Sequence, residues 1–271
     1  MISNDPFVSI AIPAYNCAAF IQTCLRSVFI QTYKNYEIII VDDCSTDSTI
    51  SVIHKVIISY KLEDKTKLFS HSINCGCGTT EKHAIEFGSG ELVVILDSDD
   101  ALSSSNVLET LVKAHKDNPD ASLVYSDFYN CDDKLRPKRL RKCSKIKPSE
   151  SYLGEFRHGR YIESRIIISH VKCFKRSFYD KTEGIDPVLL KAVDKDLVLK
   201  LEEVGRFVYI PVPLYYHRIH SDSISNSFKR KSKEEQHIIN QLRICMYEKA
   251  TDRRAKKLKD GGSIRKDENL S

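Results

Sequence analysis

The chain is 271 residues long, 41% hydrophobic and 29% charged, with a formal net charge of +5. It is too apolar to be disordered, and apolar runs such as Leu92 to Leu96 fall far below the ~20 residues of a membrane span. Nine cysteines, an odd number, argue against a disulfide framework and for reduced thiols around one full core.

In chain order, Phe7 to Ile12 is apolar, rich in β-branched residues, and stops at Pro13, which predicts a strand. Ala18, Ile21, Leu25, Val28 and Phe29 recur every three or four residues and predict an amphipathic helix over 18–30. Tyr36 to Val41 reads as a buried strand ending at Asp42-Asp43. Ser45-Thr46-Asp47 then offers cap chemistry to a helix carrying Ile50, Val52, Ile53, Val56 and Ile57. A weaker strand, Lys67 to Ile73, leads into the turn Asn74-Cys75-Gly76-Cys77-Gly78 and a helix to Phe87. Gly88-Ser89-Gly90 breaks that helix, and Glu91 to Leu96 is a further buried strand. A helix near Asn106 to Lys116 and a strand from Ser122 to Phe128 follow. Strands that are nearly all apolar, alternating with helices, predict an α/β fold with a mostly parallel central sheet covered on both faces.

The second half is less regular. Residues 129–165 read as polar hairpin or loop, 166–178 as a strand and short helix, Asp194 to Glu203 as a helix, and Arg206 to Pro211 as a short strand. Residues 229–271 hold 13 Lys/Arg against 7 Asp/Glu, so the rest of the chain is close to neutral. That tail reads as an appended helix with a loose end after Lys259. A second basic cluster runs from Lys134 to Lys147.

In a parallel α/β sheet, ligands collect beyond the carboxyl ends of the strands. Three such ends are polar here: Pro13-Ala14-Tyr15-Asn16, Asp42-Asp43, and Asp97-Ser98-Asp99-Asp100. Asp97 and Asp99, two apart in extended backbone, point to one side. Paired carboxylates of that kind suit a hard divalent cation, Mn²⁺ or Mg²⁺, with phosphates filling its other positions. Cys75-x-Cys77 lacks the spacing and the second pair of a zinc knuckle, so those cysteines are read as incidental.

Taken together, Val8 to Asn16, Gln31-Thr32-Tyr33, Val41 to Asp47, Leu96 to Asp100, Asp194-x-Asp196-Leu197 and Tyr216-x-Arg218-x-His220 resemble, in order, the motifs of family-2 glycosyltransferases. The resemblance covers roughly residues 7–226. It implies a single GT-A type domain over 1–226, with a nucleotide-binding half (about 1–128), an acceptor-side half (about 129–226) and a basic tail (227–271). It further implies an inverting, metal-dependent hexosyltransferase that uses a nucleotide-diphosphate sugar, UDP-sugar by preference, in surface polysaccharide or lipid-linked glycan synthesis. By family position Pro13 and Tyr15 would lie near the base and Asp43, with Asp42 beside it, would accept from the base edge. Asp97 and Ser98 would lie near ribose and metal, and Asp99, Asp97 and His220 would hold the cation. Arg218 would meet phosphate oxygens. Asp194 would be the general base, with Asp196 in reserve, although Val193 stands where the family usually has Glu. Thr80-Glu81-Lys82 replaces the family's Ala-Arg-Asn, and Lys82 either restores the positive charge near the diphosphate or sits exposed on its helix.

The alternatives are a haloacid-dehalogenase-like phosphatase and a basic nucleic-acid-binding protein. The first normally carries its Asp-x-Asp on the first strand, and this one ends the fourth. The second would show a recognisable nucleic-acid motif, and none is present, so no specific nucleic acid is expected. No Gly-x-Gly-x-x-Gly follows the first strand, which disfavours a dinucleotide dehydrogenase. The opening Met1-Ile2-Ser3-Asn4-Asp5-Pro6 lacks signal-peptide character, so the expected place is the cytoplasm. The basic tail would add a peripheral contact with anionic lipid at the inner membrane face, beside a saccharide or lipid-linked saccharide acceptor.

Overall fold

A computed structural model describes residues 5–146, 150–157, 160–162, 165–221, 223 and 231–262. Strand β1 (Val8–Ala14) is followed by helix α1 (Ile21–Phe29), β2 (Tyr36–Asp42), α2 (Thr49–Ser59), β3 (Thr66–Ser70), α3 (Cys77–Glu86) and β4 (Leu92–Ile95). These match the predicted sequence of elements to within a few residues at their ends. A two-residue strand, β5 (Ala101–Leu102), then leads to α4 (Val107–Asp117) and the long β6 (Ala121–Cys131). The second half supplies β7 (Pro137–Arg141), β8 (Glu155–Arg157), β9 (Arg160–Ile162), β10 (Lys172–Lys175), α5 (Arg176–Tyr179), α6 (Val193–Val204), β11 (Arg206–Arg218) and α7 (Lys233–Lys259). Strand β11 is much longer than the predicted short strand over 206–211. Lys147 and the end of the tail lie outside the described residues.

The main sheet runs β3-β2-β1-β4-β10-β6-β11-β5, with β7 paired to β6. Strands β1, β2, β3, β4, β6 and β11 share one direction, while β10 enters antiparallel between β4 and β6. All seven residues of β2 are buried, as a strand covered on both faces requires. Gly90 makes the approach of β4 to β1 possible, since a Cβ there would fall 2.3 Å from the Ser9 amide. Beside it, buried Glu37 accepts from the Ser9 hydroxyl (2.8 Å), the Ser89 amide (2.5 Å) and Lys67 (2.8 Å). Burial pushes that carboxyl up, but these donors outweigh it and hold it down at about 2.

Helix α7 is more than an appendage. A Ser232/Glu235 capping box starts it, and Ile239, Met246, Tyr247, Ala250 and Arg254 are buried. Arg254 pairs with buried Glu202 of α6 at 2.7 Å, Arg253 with Glu203 at 2.8 Å, and Lys249 with Asp186 at 2.9 Å. Lys249, Arg253 and Arg254 thus tie α7 to the elements around α6. Among the described residues no helix is long and apolar enough to cross a membrane.

Candidate active site

The loops after β1 and β2 are bound to one another. Asn16, at a left-handed φ of 47°, accepts from the Thr46 amide at 2.8 Å, and its own amide donates to the Ser45 hydroxyl at 2.9 Å. Cys44 (φ 60°) turns the chain after β2 in the same strained region. Pro13 lies within β1 opposite Val41, and Tyr15, 49% exposed, stands at the open rim. The two adjacent acids do different work. Asp42 is buried and accepts from the Ser45 amide (3.0 Å) and hydroxyl. Asp43 accepts from the Cys75 amide (2.7 Å) and the Gly76 amide (2.9 Å) and meets His71 Nδ1 at 2.8 Å, so it fixes the loop that enters α3. His71 Nε2 lies 2.9 Å from His83 Nδ1.

The acidic turn after β4 is built against the end of β11. Tyr215 pairs with Leu102 and Tyr216 with Ala101, which brings His217, Arg218 and His220 onto Asp97–Asp100. Asp99 Oδ2 lies 2.8 Å from His220 Nε2, so two predicted metal ligands 121 residues apart meet. Asp97 Oδ2 lies 3.8 Å from His170 Nδ1, and its amide donates to the Tyr215 hydroxyl at 3.1 Å. His170 stacks on Tyr215 (4.5 Å) and His217 (5.1 Å). Arg218 is turned inward: its amide donates to Asp100 Oδ1 (2.6 Å), and its guanidinium donates to the Asp99 and Asp133 carbonyls over the Phe20 ring. It braces the acidic turn from below. Ser98 is buried in that turn.

Loss of hydration and the neighbouring Asp99 carboxylate push Asp97 up to about 6. Burial and the same neighbour raise Asp100 well above the carboxylate range, and its Oδ2 has no hydrogen-bond partner. Burial, together with the Lys172 cation, lowers His170 well below the ordinary histidine value, and burial also lowers His217. Crowded carboxyls that resist ionisation beside neutral imidazoles are the donor set a divalent cation such as Mn²⁺ would satisfy. Ligand atoms of Asp100, His170 and His217 lie within 4.8 Å of one another, as do those of Asp43, His71 and Cys75. His170 escaped sequence analysis and His217 had no role there, because only the pairing of β10 and β11 around β6 brings them to the turn.

On α3, Lys82 lies 3.9 Å from Glu86 of the same helix. The cation whose charge reaches Asp97 is Lys172 of β10, only 3% exposed and not singled out by the sequence. At the head of α6, Asp196 is 2% exposed and accepts from Lys200 (2.8 Å) and the Asp186 amide (2.9 Å). Asp194 is half-buried, and its charge reaches both Asp97 and the buried face of α3. Ala192, at φ 64°, sets the angle at which the helix begins.

Solved structures with this fold include the Staphylococcus aureus protein TarS (residues 1–349) in complex with UDP-GlcNAc, at a TM-score of 0.62 and 20% identity over 81% of this chain and 60% of that one. A mannosyltransferase from Pyrobaculum calidifontis, in complex with GDP-Man and Mn²⁺, matches at a TM-score of 0.62 and 19% identity over 89% and 65%. These likenesses establish the GT-A fold. In sequence, the chain is 31% identical over 237 residues to a hyaluronan synthase of Pasteurella multocida, covering 83% of this chain and 22% of the relative. It is 31% identical over 224 residues to a chondroitin synthase of Escherichia coli, covering 83% and 30%. The chain therefore spans less than a third of the length of these two relatives. The phosphatase and nucleic-acid alternatives are not favoured by any of these likenesses. The model of glycosyl transferase family 2 matches residues 9–182, more than half of the chain, which accordingly belongs to that family.

Proposed function

We propose that the chain is an inverting, metal-dependent hexosyltransferase that moves a sugar from a nucleotide-diphosphate sugar to an acceptor hydroxyl. The meeting of Asp99 and His220 at 2.8 Å, with Asp97 beside them and Asp194 on the facing helix, carries the reading. A UDP-sugar is the preferred donor, as in the TarS complex with UDP-GlcNAc, while the GDP-Man complex of the P. calidifontis enzyme names the competitor. The relatives named as a hyaluronan synthase and a chondroitin synthase support a product among surface polysaccharides or lipid-linked glycans.

Asp97, Asp99 and His220 would hold Mn²⁺ or Mg²⁺, with His170 and His217 in reserve behind them. Such a cation, when bound, neutralises charge on the departing diphosphate. Tyr15 at the rim would cover the base, with Pro13 behind it and Asp43 beneath. Asp42, Ser98 and Arg218 keep the strand tips in place, and Lys82 is left on the helix surface. Asp194 accepts the acceptor's hydroxyl proton as its oxygen bonds the anomeric carbon and the bond to the β-phosphate breaks on the opposite side. Asp196 is held by Lys200 and serves as the anchor of α6.

Thermal shift of the full chain with UDP, UDP-GlcNAc, GDP and GDP-Man, with and without Mn²⁺, tests the reading. Stabilisation by one nucleotide that needs metal, and that Asp99→Ala loses, is the expected result. Indifference to all four would overturn it. Lys256 and Lys259, exposed at the end of α7, support a weaker second reading, a peripheral contact with anionic lipid. Flotation on phosphatidylserine vesicles that survives removal of 256–271 would exclude it.

A further inference from the structure

We propose that Arg139 and Arg141 of β7 form a docking surface for an acidic acceptor glycan, one that carries carboxylate or phosphate groups along its chain. The inference deepens the transferase reading above and rests on it. The hairpin of β6 and β7 carries much of the basic cluster from Lys134 to Lys147, and the site described so far makes no use of it.

Register fixes where these two side chains stand. Arg141 pairs with Phe128 and Arg139 with Asn130 across β6 and β7, while Tyr215 pairs with Phe128 and His217 with Asn130 across β6 and β11. Residues paired across a ladder share one face of the sheet, so both arginines lie on the face that carries Tyr215 and His217. The contacts on that face agree. His217 Nδ1 lies 3.4 Å from Asn130 Oδ1, and the Phe128 ring lies 6.1 Å from His217 and 5.6 Å from His170. His170 in turn lies 3.8 Å from Asp97. Strand β7 is two strand spacings, about 10 Å, from β11, which puts the two guanidiniums within reach of a short glycan that ends at the acidic turn.

The charges of the hairpin divide. Asp132 meets Arg136 at 2.7 Å and Lys138 at 3.3 Å, which matches the cations of the turn. Arg139 is exposed and Arg141 half-buried, and neither has an acidic partner among the described residues. Charge on an edge strand guards it against unwanted pairing, but that purpose does not need two free cations on the face of the site. Two guanidiniums two residues apart, about 7 Å along the strand, offer forks that fit carboxylates and phosphates. Asp97, Asp99 and Asp100 repel an anion, so a charged acceptor needs its countercharge to one side of them, where β7 supplies it. A lipid surface would be met by exposed charge on any side of the hairpin, whereas the pairing sets both free guanidiniums beside His217.

The test measures binding of short labelled oligomers to the full chain with Mn²⁺ and UDP or GDP. The oligomers are unsulfated chondroitin for carboxylates, ribitol phosphate for phosphates, and neutral chitin oligosaccharide. Wild type should bind at least one anionic oligomer about tenfold more tightly than the neutral one, and the two anionic arms tell which group is recognised. That advantage should shrink between about 50 and about 300 mM NaCl. Arg139→Gln with Arg141→Gln should weaken anionic binding about tenfold, and should move the affinity for the neutral oligomer and for the nucleotide less than about twofold. Arg139→Lys with Arg141→Lys should recover part of the loss, as charge without the fork. Equal binding of all three oligomers, or anionic binding that the glutamine variant keeps, overturns the proposal while nucleotide binding leaves the transferase reading intact. Tighter binding of phosphatidylserine vesicles or single-stranded DNA than of either anionic oligomer, lost in the glutamine variant, overturns it in favour of that partner. A wild type that binds neither nucleotide removes both readings.

Discussion

Strands β1, β2, β3 and β4 lie beside one another in the sheet and close to one another in the chain, whereas β10 and β11 reach the same sheet from far downstream. In the first region Asp42-Asp43 and Asp97 stand at the ends of apolar strands, and α3 lies against β1 and β2. In the second, β10 is only four residues long, and it separates β4 from β6 with antiparallel pairing. Strand β11 follows β6 through several register shifts before its last residues meet the acidic turn. Local rules set the polar strand tips of the first region; the second brings Arg218 and His220 onto one of them.

The sharpest break in this comparison comes from a contact the two regions share, that of Asp99 with His220. Asp99→Ala should lower transfer about a thousandfold or more and remove metal-dependent donor binding. His220→Ala should follow in the same direction, because its imidazole meets that carboxylate. Metal dependence that survives His220→Ala would reduce β11 to packing and leave the site to the first region alone.

Next in size is the acceptor side. Asp194→Asn should keep donor affinity within about twofold and lower transfer about 10²- to 10⁴-fold in steady-state assays. Asp196→Asn should instead lower the melting temperature, since it weakens the acceptor for Lys200 and the Asp186 amide. The opposite pattern would exchange the roles of the two acids.

The first region was legible almost element by element. β1, β2 and β4 are mostly apolar runs with polar residues at their ends, so Tyr15, Asp43, Asp97 and Asp99 could be named from position, while the mixed sequence of β3 signalled a strand only weakly. The second was not. Nothing near His170 or Lys172 in the sequence signals a cleft, because their neighbours there belong to other strands. The length of β11 was missed because Pro211 and Pro213 interrupt its pattern where it bends past β6. The helix of the tail was legible, but what it packs against was not, because its partners, Glu202, Glu203 and Asp186, lie some fifty or more residues away.

That packing has a measurable counterpart in stability. Arg254→Ala leaves Glu202 buried with its Tyr152 and Ser151 bonds but without the Arg254 guanidinium. Breaking one partner of a buried pair costs about 3–5 kcal/mol, so urea denaturation should show a loss of that size. A loss under about 1 kcal/mol would return α7 to the status of an exposed appendage.

The smallest effect probes the seam between the regions. His115 of α4 is buried and donates from Nε2 to the Cys173 carbonyl of β10 at 3.1 Å, while its Nδ1 has no partner. Burial lowers it from 6.5 to about 4. A histidine depressed in the folded state lends stability that is complete above its unfolded pKa and lost as pH falls towards the folded one. Wild type should therefore lose about 2 kcal/mol through this group between pH 7.5 and pH 5. Glu37, held at about 2, keeps its contribution throughout that interval and yields it only below the ordinary carboxylate range. In His115→Leu the imidazole's share disappears, so the stability gap between wild type and variant should narrow steadily from pH 7.5 to 5. A gap that stays constant would mean that His115 is hydrated in solution, and that α4 and β10 are joined less tightly than the buried hydrogen bond between them implies.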